Sequence, residues 1–477
     1  MSSRNLAKNT VFYSLALAGQ KVLSFIYFIF LARIIGVENQ GKFSFALSFT
    51  SIFAMFLDLG LTQILIRDSA KDKNCAELKL ANVISFKLLY SFIIYGFIVL
   101  LINLMRYPEI TKQLVYISGL VMLLDSFSLS VYGVIRGHHN LLFESIGTIL
   151  NQLVVLIVGL IGLYWGWGLK MLMFVYLLAS FINLIWAIYH LNKSFKIKII
   201  LQFNWQIINQ LLILSIPFAI AGIFTRIFSS IDTVLLSKLA GDWAVGIYSV
   251  AFKAVFALQF LALAFSASLY PAFSNYFVHS KENLAKLFTK SMYWLIFASL
   301  PLTSGTIAIA DKVIKGIFGN KYLPSIEPLQ ILITSIVFVF LCFPIGALLN
   351  ACNQQTRNTI NLGIVAIFSF ITNLILIPIY NYNGSAITNL LSYGLLFILG
   401  ILAVNQIIDY DKKFLFFSFL KSLLASCIMF LVVFSLKELI HFVILIPIGI
   451  LIYLSISYLM GLFSINSIKE FSKEFIK

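Results

Sequence analysis

Residues 31–46, LARIIGVENQGKFSFA, return 205 positions later as residues 236–251, LSKLAGDWAVGIYSVA. Leu31, Gly36, Gly41, Ser44 and Ala46 meet Leu236, Gly241, Gly246, Ser249 and Ala251 without a gap, Arg33 meets Lys238, and Phe43 meets Tyr248. Self-similarity at a fixed offset is the signature of an internal duplication. Each copy sits between two long apolar runs, so the paired glycines read as part of a tight outer loop where the backbone reverses. Carried back toward the N-terminus, the same offset sets Lys21 on Arg226. A weaker echo joins GVIRGHHN, 133–140, with ALLNACNQQTRN, 347–358.

The composition says what is duplicated. Of 477 residues, 61% are apolar and 11% charged, against about 25% charged in soluble domains. Such a chain must meet lipid over most of its surface, which excludes soluble enzymes, disordered scaffolds and secreted disulfide frameworks. With about 20 apolar residues per crossing, fourteen spans are predicted, near 10–32, 43–66, 81–105, 113–135, 145–164, 171–191, 209–237, 245–275, 291–310, 328–350, 358–380, 384–404, 414–436 and 442–463. Six spans separate the two copies. The even number makes them parallel repeats about an axis along the membrane normal, hence two six-helix lobes, 1–195 and 196–405, with helices 13 and 14 and a tail at 406–477. The segment 193–212, KSFKIKIILQFNWQIINQLL, reads either as a helix lying on the membrane surface or as a charged loop.

The formal charge of +16 is in part an address label. With the N-terminus inside, Lys and Arg favour the inner loops nearly two to one, which places both termini in the cytoplasm. Nucleic acid is not an expected partner. Arg4 and Lys8 precede an apolar run that continues through Leu31, so the start reads as an uncleaved first helix rather than a signal peptide.

Charge within a span costs about 2.5–3.5 kcal/mol on insertion scales and marks a cavity or a partner. The intramembrane candidates are Lys21, Asp58, Lys87, Asp125, Arg226, Asp232, Lys253 and Lys421. Lys21 and Arg226 lie too deep to reach water along their own stems, and with Lys253 they form a predicted cationic cavity suited to an anionic passenger. The competing reading is a set of buried ion pairs, for example Lys21 with Asp58. Asn151, Gln152, Asn361 and Asn373 read as hydrogen-bonding glue between helices. The four cysteines and five histidines have no metal-ligand spacing, and no phosphate-cradling or catalytic motif occurs. The nearest, GVENQGKF at 36–43, puts Phe43 where a magnesium-binding hydroxyl belongs. The expectation is a transporter without catalytic residues, metal or cofactor.

NTVFYSLALAGQKVLSFIYFIFLARIIGVENQGKFSFALSF (9–49), FLDLGLTQILIRDSA (56–70) and SSIDTVLLSKLAGDWAVGIYSVAFK (229–253) resemble bacterial polysaccharide (O-antigen-type) flippases of the MOP exporter superfamily, which also holds multidrug extruders. The resemblance implies an all-α, MATE-like fold in the bacterial inner membrane. It also implies alternating-access transfer of undecaprenyl-diphosphate-linked oligosaccharide repeat units from the inner to the outer leaflet, for lipopolysaccharide or other surface polymers. Lys21, Arg226 and Lys253 would contact the passenger. Asp58 and Asp232 would couple transfer to a proton or sodium gradient. Membrane lipid, a polysaccharide polymerase and chain-length machinery are the implied partners. The alternative is a cation-coupled drug or organic-cation antiporter of the same architecture; a membrane glycosyl polymerase would need a long outer loop that is missing.

Overall fold

The computed structural model describes residues 3–72 and 75–463; Lys73, Lys469, Lys473 and Lys477, counted above among the inner charges, lie outside them. The described residues are α-helical with short turns: α1 (Ser3–Ile35), α2 (Val37–Asp58), α3 (Leu61–Lys71), α4 (Cys75–Leu104), α5 (Glu109–Gly137), α6 (Leu142–Tyr164), α7 (Leu169–Phe195), α8 (Trp205–His279), α9 (Lys281–Ile317), α10 (Ile326–Ala351), α11 (Gln355–Tyr380), α12 (Tyr382–Val404), α13 (Lys412–Leu436) and α14 (Phe442–Leu459). A bilayer leaves no water for idle backbone groups, and a helix satisfies them within one segment.

Fourteen crossings result. α2 and α3 are one span bent by 45°, at Leu59 (φ 47°) and Gly60 (φ 73°). The predicted continuous second helix is thus broken. α8 is 75 residues long, about 110 Å at 1.5 Å per residue, far more than a bilayer of roughly 30 Å. It is two spans joined at Gly241, whose φ 86° and ψ 171° interrupt the helix.

The chain forms two compact units, Met1–Ser249 and Val250–Lys477. In the first, α5 is the central helix, packed on α2, α3, α4 and α7, while α6 joins α1 to α7. Tyr27, Leu31, Phe43, Phe49, Ile98 and Leu114 are among its core. In the second, α10 packs on α9 and α12, α12 on α11, and α13 and α14 on α9. The partnerships among spans 3 to 6 of the first unit (α4 with α5, α5 with α7, α6 with α7) therefore recur among spans 9 to 12 of the second.

The turns repeat as well. Gly36 (φ 80°, ψ 170°) has the backbone conformation of Gly241. His139 (φ 57°) and Asn353 (φ 59°) fall on one another in the weaker echo and share the left-handed region. The second glycine of each pair does something other than expected. Gly41 and Gly246 lie inside helices, not in loops. A side chain at Gly41 would run into the carbonyl of Asp242, and one at Gly246 into the carbonyl of Val37. Val37 and Asp242 are themselves paired by the repeat, so the contact is reciprocal: two copies of one motif cross backbone to backbone.

The surface helix envisaged for the linker is not formed. Lys196 enters the left-handed region and ends α7, and residues 196–204 are non-helical. Ile197 is buried and Ile199 packs beside it, while Lys198 and Ile200 face outward: the two-residue alternation of an extended strap. Asn82 Oδ1 accepts from Asn204 N at 2.6 Å, and Asn204 Oδ1 accepts from Gln206 N at 3.0 Å, starting α8 as an N-cap does.

Gly41→Ala and Gly246→Ala should each destabilise the protein by about 2 kcal/mol or more, as overpacking against backbone does. Gly96, which has open space around it, serves as the control, since Gly96→Ala should be neutral or stabilising. Thermal unfolding in detergent, followed by tryptophan fluorescence, checks this; equal midpoints for all three variants would remove the crossing from the account.

Candidate functional site

α5 carries its polar residues on distinct faces. Ser118, Met122, Asp125, Leu129 and Tyr132 recur at helical spacing and line a cavity of about 400 Å³ in the first unit, a volume in the range of small-molecule sites. Gln20 of α1, Thr50 and Ser51 of α2, Glu144, Thr148 and Asn151 of α6, Asn183 of α7 and Arg226 of α8 complete the lining. Tyr132 Oη donates to Asn183 Oδ1 at 2.8 Å. Gly147 leaves room for that pair, because a side chain there would collide with both atoms. Glu144 is held by the Arg136 guanidinium through two of its nitrogens, with Tyr13 Oη at 3.3 Å.

Ser126 of α5 also lines the cavity and joins a second polar network. Lys87 of α4 is fully buried. Its Nζ donates to Asp58 Oδ1 at 2.6 Å, to Ser126 O at 3.2 Å and Oγ at 3.1 Å, and to Ser130 Oγ at 2.7 Å. Thr62 adds a short hydrogen bond to the same carboxylate. Asp58 thus pairs with Lys87, not with Lys21. A buried ammonium is tolerable only when paired and hydrogen-bonded, and here side chains of two other spans, the bent α2–α3 pair and α5, are drawn in to satisfy it.

Arg226 lines the cavity, whereas Lys21, next in sequence to the lining residue Gln20, is not among the lining residues. Both side chains are exposed, and the Arg226 charge acts on Lys21 electrostatically. Asp232 is buried and accepts from Tyr248 Oη at 3.0 Å, away from the cavity lining. Lys253 is half-buried in the second unit, and Lys421 reaches the Met460 carbonyl at 3.1 Å. Asn151 lines the cavity rather than bridging helices. Ser51 Oγ meets Ser230 Oγ at 2.9 Å, and Tyr107 Oη donates to Ser237 at 3.1 Å. Tyr107 lies in the turn between α4 and α5, where burial pushes its phenol up to about 12. Tyr132, Asn183 and Gln20 were missed from sequence; the polar stripe along α5 at 118, 125 and 132 was the signal available.

Residues 6–277 match the family model described as "Polysaccharide biosynthesis protein". The chain belongs to that family. Among curated relatives of this polysaccharide biosynthesis protein, the capsular polysaccharide biosynthesis protein CapF of Staphylococcus aureus is 22% identical over 389 residues, covering 80% of this chain and 95% of the relative. The probable flippase AglR of Haloferax volcanii is 25% identical over 331 residues, covering 65% of this chain and 66% of the relative. The fold is that of the lipid II flippase MurJ in an inward closed conformation, with TM-score 0.77 at 16% identity over 98% of this chain and 100% of that one. An inward-facing multidrug resistance MATE transporter of the MOP superfamily follows at 0.64 and 15% identity, covering 81% of this chain and 95% of that one.

Removing one partner of a buried ion pair costs about 3–5 kcal/mol, while replacing both by apolar groups can be neutral. Lys87→Met should therefore lower stability by that amount, and Lys87→Met with Asp58→Leu should recover most of it. Unfolding midpoints of the single and double variants in one detergent test this.

Proposed function

We propose that this family member is a flippase: it moves lipid-linked oligosaccharide units across the membrane for cell-surface polysaccharide biosynthesis, and it changes no covalent bond in them. The observation that carries this reading is Arg226 in the lining of a polar cavity. With Lys21 matched to it by the internal repeat and its charge acting on Lys21, it supplies a site for an anion. Arginine's planar fork suits phosphate oxygens. An undecaprenyl diphosphate supplies the anion at its head, and its tail stays in lipid while the head crosses. Lys253, matched by position in the resemblance, is a further contact for the passenger.

Alternating access by the two repeats, inward to outward, is the proposed cycle, in a bacterial inner membrane with both termini cytoplasmic. A polymerase and chain-length regulator would receive the exported units. Asp58 and Asp232 are the acids proposed for proton or sodium coupling. For Asp58 this means that opening the Lys87 pair accompanies uptake of the ion. A MATE-type antiporter of organic cations has the same fold, but a cavity lined by Arg226, whose charge acts on Lys21, disfavours a cationic passenger.

Lys21→Ala and Arg226→Ala should each cut polymer export at least tenfold, with lipid-linked units accumulating on the inner leaflet at unchanged protein level. Export by the double variant at the normal rate would defeat the assignment. Coupling has its own test: Asp58→Asn with Asp232→Asn should abolish the response of transport to proton or sodium gradients, and an undiminished response in the double variant counts against both acids.

A further inference from the structure

The flippase reading uses Arg226 in the cavity lining and leaves the neutral polar groups and the Asp125 carboxylate of that lining without a task. Asp125, Asn151, Asn183, Gln20 and Tyr132 lie there on four helices of the first unit. A diphosphate would be repelled by Asp125. The protein itself does not satisfy these groups. Among the described residues, Gln20 and Asn151 make no side-chain hydrogen bond to protein. Asn183 spends its carbonyl oxygen on Tyr132 and keeps its amide nitrogen for the cavity. Asp125 brings a carboxylate with several acceptor lone pairs to the lining. Polar groups in so apolar a chain are costly unless a ligand or water answers them.

We infer that these groups form a saccharide subsite: the carboxylate of Asp125 and the carboxamides of Asn151, Asn183 and Gln20 bind the hydroxyls of the first pyranose ring while Arg226 and Lys21 hold the diphosphate. The inference rests on the flippase reading. Its chemistry is specific. A carboxylate only accepts hydrogen bonds, a carboxamide both donates and accepts, and a sugar ring presents hydroxyls that do both. One planar aromatic, Tyr132, is fixed beside them through Asn183. The lining offers both a guanidinium and neutral hydrogen-bonding groups, the two chemistries a sugar diphosphate needs. Glu144 does not compete, since Arg136 and Tyr13 occupy it. Selection among sugars then falls to this subsite, and the cationic pair is indifferent to the sugar carried.

The test is a titration of purified full-length protein in nanodiscs with short-chain polyprenyl diphosphates. One probe carries no sugar; three others carry a hexose, an N-acetylhexosamine and a deoxyhexose. The wild type should bind at least one glycosylated probe about tenfold tighter than the bare one, the equivalent of one or two hydrogen bonds. Asp125→Asn and Asn151→Ala should each erase most of that advantage without weakening the bare probe, and Arg226→Gln should weaken every probe alike. Should no sugar improve binding to the wild type, or should both cavity variants keep the full advantage, the subsite is wrong while the flippase reading stands on the response to Arg226→Gln. If that variant binds all four probes as well as the wild type, it is the flippase reading that fails. Unchanged thermal midpoints and elution profiles exclude misfolding for each variant used.

Discussion

In hydrocarbon a polar group cannot fall back on water, so each one must find a partner in the protein or face a space that supplies one. That constraint sorts the charges of the first unit into two kinds. Lys87 with Asp58, and Arg136 with Glu144, are spent inside the protein: their hydrogen bonds run between helices and hold α4 to α2 and α6 to α5. Arg226 and Asp125 line the cavity instead. The first kind fixes where the helices lie, and the second kind is useful only because the first is rigid.

The repeat was the most legible feature because its cause is local. A glycine is needed at Gly36 and Gly241 for a backbone at φ near 80°, ψ near 170°, and again at Gly41 and Gly246 because backbone meets backbone there. Neither demand depends on distant sequence, so both survive as matching letters. Span number was equally readable, since hydrophobic length alone decides it. The exception was the second span, where a break at Leu59 and Gly60 adds a short helix without interrupting the apolar run.

What the letters hid was partnership. Asp58 had two intramembrane basic candidates in the same lobe, Lys21 and Lys87, and the packing of α4 on α5 brings Lys87, Ser126 and Ser130 to it. Asn151 and Gln152 are neighbours of one chemical type, yet the first lines the cavity and the second is buried, because one residue turns a helix face by about 100°. The strap at 196–204 was obscured by composition: its isoleucines looked like one face of a helix, though their spacing of two, at Ile197 and Ile199, is that of an extended chain.

α5 connects the two kinds of polar site. Ser126 and Ser130 bind Lys87 beside the bend after Asp58, and Ser126 also lines the cavity with Asp125 and Ser118. The α2 residues that line the same cavity, Thr50, Ser51 and Ala54, lie one to two turns before that bend. The ion pair and the cavity thus share one turn of α5: Ser126 answers Lys87 and also lines the cavity next to Asp125, so the packing that satisfies the buried ammonium also holds the turn that carries the cavity's carboxylate.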